Sequence, residues 1–313
     1  MLDKLNFTIR RKIRERYPAL ISIELSSVCN AACIMCPHPE MERRKQHMSL
    51  DLLQKIVDDC KGKPLRQINL FWFGDSLCHK QIIECLRIVR EAVPKVRLNL
   101  STNAEMLYEE RSRAIIDENL LDQINFDIDG FKKETFEKIR LKLTHDIVLE
   151  KVHYFLDYKK KKEANSPQTS VTIIKMIPTI GEIDDFIKYW KPRVDRVIVN
   201  DYNTWLGTQE DRNVPDVQTF NQNGKFDFAC IHPWDELVIS ADGIAGLCCL
   251  DYDLTAPVGD VKLDSIGTIW NSDELNNYRR KILKLDYDSI DACRNCNAYI
   301  YQKDFKWAKL QRS

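Results

Sequence analysis

The chain has 313 residues, 44% of them hydrophobic, enough for one large or two moderate domains. Its 47 basic residues balance 47 acidic ones, which excludes a nucleic-acid binder driven by bulk charge, though not a local basic patch. No apolar stretch approaches the ~18 residues of a membrane span, and no apolar signal core opens the chain, so a cytoplasmic protein without nucleic-acid or membrane partners is expected.

Met1 to Tyr17 is basic, with Leu2, Leu5, Ile9 and Ile13 at helical spacing. Residues 1–19 read as a surface helix laid on the main domain. Asp3 and Glu15 interrupt the charge that a targeting or membrane-surface segment would carry. From residue 20 to 204, β runs alternate with helical patterns. The predicted strands are Leu20–Ser26, Gln67–Phe73, Val96–Ser101, Gln123–Asp129, Ser170–Ile177 and Arg196–Asn200. The predicted helices are Ser49–Cys60, Lys80–Ala92, Glu105–Asn119, His145–Lys162 and Glu182–Trp190. This alternation implies right-handed crossovers and a parallel sheet. Six such units fall short of an eight-stranded barrel. The predicted fold is therefore α/β, a partial (β/α)6 TIM barrel open on one side, with its chemistry at the C-terminal ends of the strands.

Residues 205–227 are rich in Asn, Asp, Thr and Gly and read as a linker. Residues 228–313 read as a small second domain. Within it, Asp242-Gly243 between two apolar runs predicts a hairpin, and Ser272–Leu285 predicts a helix. The Lys159–Lys162 run reads as a solvated helix end.

Eleven cysteines are present. Without an export signal, clustered cysteines point to metal rather than to disulfides. Cys60, Cys78 and Cys85 lack close partners in sequence and read as ordinary core or surface thiols. Cys29, Cys33 and Cys36 form C-x3-C-x2-C directly after the first strand. Three thiolates suit an iron–sulfur cluster that keeps one iron open. On spacing alone, a zinc knob with a distant fourth ligand, or unpaired core cysteines, are the alternatives.

The surrounding text, Ile21 to His38, resembles the radical S-adenosylmethionine (SAM) superfamily, in which the triad follows the first strand and an apolar residue, here Met35, precedes the third cysteine. Phe73-Gly74-Asp75-Ser76-Leu77 stands where that family carries a Gly-Gly-Glu-Pro segment that binds the methionine amino group. It departs from the pattern at three positions, but Asp75 retains an acceptor for an ammonium. Ser101-Thr102-Asn103 and Asp127-Ile128-Asp129-Gly130 end the third and fourth strands, where the family contacts SAM. The resemblance implies a SAM-binding 4Fe–4S cluster, an external electron donor such as flavodoxin or ferredoxin, and reductive cleavage of SAM to a 5′-deoxyadenosyl radical that abstracts hydrogen.

Cys230, Cys248, Cys293 and Cys296 give C-x17-C-x44-C-x2-C around the hairpin and the following helix. Spacing alone leaves structural zinc as a serious rival. The accompanying Cys230-Ile231-His232-Pro233-Trp234, Gly259-Asp260 and Ile269-Trp270-Asn271 resemble the shortened SPASM, or twitch, domain, which implies one auxiliary 4Fe–4S cluster. Cys249 is left over. On a strand it would face away from Cys248, toward the barrel mouth. It reads as a hydrogen-atom donor, as a buried small residue, or as a ligand exchanging with Cys248. Twitch-type members of the 2-deoxy-scyllo-inosamine dehydrogenase and neomycin C epimerase kinds act on hydroxylated rings. The resemblance therefore implies a small, polyhydroxylated substrate and either epimerisation or dehydrogenation. His38, Asp127, Asp129, Lys175, Asn200 and Tyr202 are candidate polar contacts, with Asp129 or Lys175 as a base. Each is alternatively a SAM contact or a structural ion pair. Trp72 and Trp205 read as pocket walls or packing. Radical modification of a peptide or protein is the alternative activity, disfavoured because only about 20 residues precede the first strand. A non-enzymatic iron–sulfur or zinc-binding module is the alternative class.

Overall fold

Alternate positions of the predicted strands divide into an apolar and a polar set, and both find a use in the computed structural model, which describes residues 16–206, 208–209 and 229–296. Strands β1 (Leu20–Ile23), β2 (Gln67–Asn69), β3 (Arg97–Thr102), β4 (Gln123–Asp127), β5 (Gln168–Lys175) and β6 (Arg196–Asp201) pair in order, all parallel. One row of side chains, including Ile21, Ile68, Leu98, Leu100, Ile124, Phe126, Val171 and Ile173, is fully buried. It packs in one core with residues of helices α1 (Leu50–Cys60), α2 (Ile82–Ala92), α3 (Glu109–Asp117), α5 (His145–Lys161) and α6 (Ile183–Trp190). Burying each such side chain contributes roughly 1.5–3 kcal/mol. Helix α1 starts where the sequence places it: Ser49 is the N-cap and accepts from Leu52 N at 3.2 Å.

A short helix that the pattern does not predict, α4 (Lys133–Ile139), lies between β4 and α5. The predicted first strand also stops early, at Ile23. The next residue, Glu24, is fully buried and takes both guanidinium nitrogens of Arg43, at 2.5 and 2.6 Å, and the backbone N–H of Ala241 at 3.0 Å.

The tail continues the same sheet. After α7 (His232–Asp235), β7 (Glu236–Ile239) pairs in parallel with β1, with Ile21 opposite Leu237. β8 (Ile244–Gly246) returns antiparallel around Asp242-Gly243, and β9 (Pro257–Asp260) follows it antiparallel. The strand order is β6-β5-β4-β3-β2-β1-β7-β8-β9. The predicted helix over Ser272–Leu285 is α9 (Asp273–Leu283), capped by Ser272, after the short α8 (Ile266–Trp270). The predicted N-terminal helix and linker lie almost entirely outside the described residues. No helix among the described residues is long and apolar enough to cross a membrane.

Candidate active site

The loop that carries Cys29, Cys33 and Cys36 is held by backbone bonds from several directions. Ser27 N donates to Gln46 O at 2.9 Å, Asp75 N to Val28 O at 3.0 Å, Ala32 N to Leu141 O at 2.9 Å and Ile34 N to Ile139 O at 3.0 Å. Gly74 makes the junction between Val28 and the segment after β2 possible. Its φ is +82°, and a Cβ there would lie 2.5 Å from Ser26 O and 2.8 Å from Val28 O, both backbone. Gly74→Ala is expected to cost roughly 2–5 kcal/mol, from the left-handed backbone and the steric clash together. Urea unfolding measures it, and a loss within experimental error of zero would sink the close-approach argument.

Three segments meet beside this loop. The buried Asp75 carboxylate accepts from Leu77 N at 2.9 Å, Thr102 Oγ1 at 2.8 Å and Asn103 N at 2.8 Å. These donors occupy three of about four acceptor sites of the carboxylate. Asp75 and Thr102, read as SAM contacts, also clasp the segments after β2 and β3 to each other. Asn103 Nδ2 donates to Asn30 Oδ1 at 2.9 Å and lies 4.0 Å from Cys29 Sγ. Burial pushes all three thiols up, Cys36 to about 12. A metal must therefore displace protons to bind them.

Arg140, at the end of α4, offsets that penalty for one cysteine. It is buried, with Nη1 3.8 Å from Cys33 Sγ and Nη2 2.5 Å from Asp129. Burial opposes its charge, but Asp129, Cys33 and Asp127 outweigh burial and hold it protonated. Its Nε is buried without a partner among the described residues, a donor left available for an anionic ligand. Asp129 is fully buried, adopts φ +52° and also accepts from Ile174 N at 2.7 Å. Asp129, read as a base, a SAM contact or a structural ion pair, is the buried ion-pair partner of Arg140 and ties β4 to β5. Lys175 ends β5, half-buried and in register with Asp201, and is not among the residues lining the lumen.

The polar set of strand residues faces that lumen, a cavity of about 360 Å³ lined by Asn99, Ser101, Asn125, Asp127, Ser170 and Thr172, among others. Asn125 organises it, donating to Ser101 Oγ at 2.9 Å and Asp127 at 2.8 Å while accepting from Ser170 at 2.8 Å and Thr172 at 2.9 Å. Ser101 Oγ in turn donates to Asp127 at 2.9 Å. Burial raises Asp127 to about 6, against the pull of Arg140. Asn99 donates to Asn69, Asn69 to Ser22, and Ser22 to Glu236 at 2.5 Å, so the polar row reaches the tail.

At the mouth, aromatic rings join the cysteine loop to the tail. Trp205 Nε1 donates to Met35 O at 2.7 Å, and Trp72 Nε1 to Cys249 O at 2.6 Å. Phe73 packs edge-on against Trp205 and Tyr252, with centroids 5.3 and 5.8 Å away. Met35 itself is buried with Ile139, Met176 and Tyr202. His38 is buried and bonded to Ser27 O at 2.8 Å, which makes it a strut of the loop.

Cys230, Cys248, Cys293 and Cys296 line one small enclosed cavity, otherwise walled by Leu247, Leu250, Ile282 and Tyr287 among others. Cys230 N donates to Tyr287 Oη at 2.9 Å, and Cys296 N to Cys293 O at 3.1 Å. The premise that Cys248 and Cys249 alternate across a strand is corrected. β8 ends at Gly246 and both residues lie in the turn beyond it, so their thiols are hydrogen-bonded neighbours. That bond lowers the Cys248 thiol and raises Cys249. Cys249 also lies with His232 and Glu236, ligating atoms all within 4.8 Å of one another.

A family model described as the radical SAM superfamily matches residues 23–189, more than half the chain. The chain belongs to the radical SAM superfamily. A second model, an iron–sulfur cluster-binding domain of the SPASM type, matches residues 230–297. This radical SAM protein is 21% identical over 282 residues to the S-adenosyl-L-methionine-dependent 2-deoxy-scyllo-inosamine dehydrogenase of Niallia circulans, covering 89% of this chain and 92% of that protein. It is 22% identical over 168 residues to the tungsten-containing aldehyde ferredoxin oxidoreductase cofactor-modifying protein of Pyrococcus furiosus. That match covers 53% of this chain and 46% of the relative, so the chain spans under half of the relative's length. Among solved structures, BtrN in complex with AdoMet and 2-DOIA superposes with a TM-score of 0.59 at 17% identity, covering 90% of this chain and 93% of that one. Streptococcus suis SuiB bound to precursor peptide SuiA gives 0.70 at 11% identity, covering 98% and 78%. These structural likenesses show the fold, an α/β parallel sheet with a C-terminal SPASM region.

The two family matches imply a SAM-binding 4Fe–4S cluster and auxiliary iron–sulfur. The donor sets fit them: one loop offers three thiols beside an unsatisfied guanidinium N–H, and one apolar cavity offers four. Sequence reasoning missed Arg140, Asn30, Glu24 and Glu236. The one available signal for a polar lumen was the repeated pattern Gln67-Ile68-Asn69, Arg97-Leu98-Asn99, Gln123-Ile124-Asn125. Strands of a barrel with a packed interior carry apolar residues on both faces.

Proposed function

We propose that this radical SAM enzyme abstracts a hydrogen atom from a hydroxyl-bearing carbon of a small sugar- or cyclitol-like substrate, ending in epimerisation or dehydrogenation. The observation that carries this reading is the lumen, whose lining is mostly amides and hydroxyls. Such groups match a ring of hydroxyls and give an unfunctionalised hydrocarbon little to bind. The relation to a dehydrogenase of a hydroxylated ring adds support.

In this reading the radical SAM barrel spans residues 20–204 and the SPASM or twitch domain residues 228–313. Cys29, Cys33 and Cys36 hold the SAM-binding cluster, and Cys230, Cys248, Cys293 and Cys296 the auxiliary one. Bound SAM supplies the hydrogen-abstracting 5′-deoxyadenosyl group after one-electron reduction by an external flavodoxin- or ferredoxin-like donor. Arg140 holds an anionic group of SAM at its free Nε, while Met35, Gly74, Ser101 and Asn103 shape the surrounding pocket. Asp127, held by Ser101 and Asn125, orients a substrate hydroxyl. The aromatic seam of Trp72, Phe73 and Trp205 excludes water. Cys249 is the group that returns a hydrogen atom if the reaction ends in epimerisation.

Turnover in deuterated water separates the two endings. Carbon-bound deuterium at an inverted centre, lost in Cys249→Ala, supports the thiol donor. A product lacking two hydrogens, formed equally by Cys249→Ala, removes Cys249 from the chemistry. If reduced, anaerobic enzyme produces no 5′-deoxyadenosine with SAM, the enzymatic reading itself fails.

A further inference from the structure

Two backbone bonds set Cys33 opposite Arg140. Ala32 N donates to Leu141 O at 2.9 Å and Ile34 N to Ile139 O at 3.0 Å. The two segments run in opposite directions, and each bond lies two residues from the next on both. This is an antiparallel register in which residues 33 and 140 form the pair between the bonds, where side chains approach most closely. The main chain thus delivers the guanidinium to the sulfur, and the contact does not depend on a free side chain finding it.

Each nitrogen of the buried guanidinium has a different use. Nη2 donates to Asp129 at 2.5 Å, Nη1 lies 3.8 Å from Cys33 Sγ, and Nε has no partner among the described residues. A structural ion pair with Asp129 accounts for Nη2 alone. The other two thiols of the loop receive neutral amides: Cys29 Sγ accepts from Ala31 N at 3.4 Å, and Cys36 Sγ from the His38 N–H. Cys33 receives a charged donor instead. Burial raises the Cys33 thiol; Arg140 lowers it, by more than either Asp129 or Asp127 raises it.

Reduction of an iron–sulfur cluster adds one negative charge. A hydrogen-bond donor to a ligating sulfur favours that reduced state, and a buried guanidinium favours it more than a neutral amide does. We propose that Arg140 is a positioning residue that raises the reduction potential of the cluster held by Cys29, Cys33 and Cys36, so that a milder electron donor suffices. This rests on Cys33 being a ligand of that cluster. One electron enters the cluster from the external donor, and no covalent bond forms or breaks in this step. Asp129 acts in the opposite sense, because it takes one edge of the guanidinium and offsets part of its charge.

Redox titration followed by electron paramagnetic resonance, on the reconstituted full chain, tests this with R140K, D129N and the double variant D129L/R140L. Cys293→Ser, which keeps the first site, assigns the signal of the first cluster, and the auxiliary cluster serves as the internal control. R140K is expected to make the first cluster about tenfold or more harder to reduce, about 59 mV for a one-electron couple, because the ammonium stays on Asp129 and leaves Cys33. The double variant is expected to shift in the same direction. D129N is expected to shift the opposite way, toward easier reduction, since the guanidinium charge is no longer offset. Damage to the fold moves R140K and D129N together, whereas the charge argument moves them apart. A change below tenfold in both R140K and the double variant, equal movement of both clusters, or shifts of one sign in R140K and D129N overturns the proposal and leaves Cys33 as a ligand. Failure of the first cluster to assemble in R140K, with circular dichroism like the parent's, assigns Arg140 to assembly and overturns it too. A parent protein with a single cluster that Cys33→Ser retains overturns Cys33 as a ligand as well.

Discussion

Cys33→Ser is expected to abolish 5′-deoxyadenosine formation and to halve the iron content. Two cubane clusters account for about eight irons per chain, and the loss of one leaves about four. Cys33 sits between two constraints. Its neighbours Ala32 and Ile34 are pinned by backbone bonds to Leu141 and Ile139, so the loop cannot shift to offer another ligand. Its sulfur also faces the Arg140 guanidinium at 3.8 Å, which favours thiolate over thiol; a serine hydroxyl, far harder to deprotonate, gains much less. Cys293→Ser supplies the complementary result. Iron again falls to about four per chain, but uncoupled SAM cleavage persists, because the first loop is untouched. Iron and 5′-deoxyadenosine measured on the two variants decide the matter. Full cleavage by Cys33→Ser removes that residue from the first site. A zinc content near one per chain beside four irons assigns the tail cysteines to zinc instead.

Arg140→Leu is expected to destabilise the fold by roughly 3–5 kcal/mol, since it leaves a fully buried carboxylate without its partner. Among the described residues, Asp129 then keeps the Ile174 N–H at 2.7 Å in place of a charge-assisted pair at 2.5 Å. Arg140→Lys is expected to recover part of the loss, because an ammonium restores the charge but not the two-sided reach to Asp129 and Cys33. The double variant Asp129→Leu/Arg140→Leu is expected to be more stable than Arg140→Leu alone, as removing both charges removes the desolvation penalty. Guanidinium unfolding of the four proteins tests this. A single variant as stable as the parent would show that water reaches Asp129 and that the pair is not a buried one. The same series reports on chemistry: SAM affinity should fall in both Arg140→Leu proteins even where stability returns.

The arrangement of strands and helices, and both sets of cysteines, were legible in the chain itself. Alternating β and helical patterns define a parallel α/β sheet because each strand must bury an apolar row under a helix, and that requirement is local in sequence. Cys29, Cys33 and Cys36 lie within eight residues of one another, so chain connectivity alone keeps three thiols together. Proximity of Cys230 and Cys248 to Cys293 and Cys296 was inferred from likeness, and the single cavity they line bears it out geometrically.

Tertiary structure decided what each polar group is for. Asp75, Asp127 and Asp129 look alike as carboxylates after strands. One clasps two loops, one faces the lumen, and one is buried against a guanidinium eleven residues later in the chain. Which role each takes depends on partners contributed by other strands, and sequence spacing carries no record of those. The tail's place in the sheet has the same origin: β7 pairs with β1 across more than two hundred residues, a contact set by edge complementarity rather than by any local signal. The direction of Cys249 followed from where β8 ends, a boundary one or two residues wide that alternation cannot locate. Sequence thus determined which chemistry the chain carries, since ligands of one cluster sit close in the chain. Only the fold determined what that chemistry faces, since the lumen is assembled from residues of four separate strands, β3 to β6.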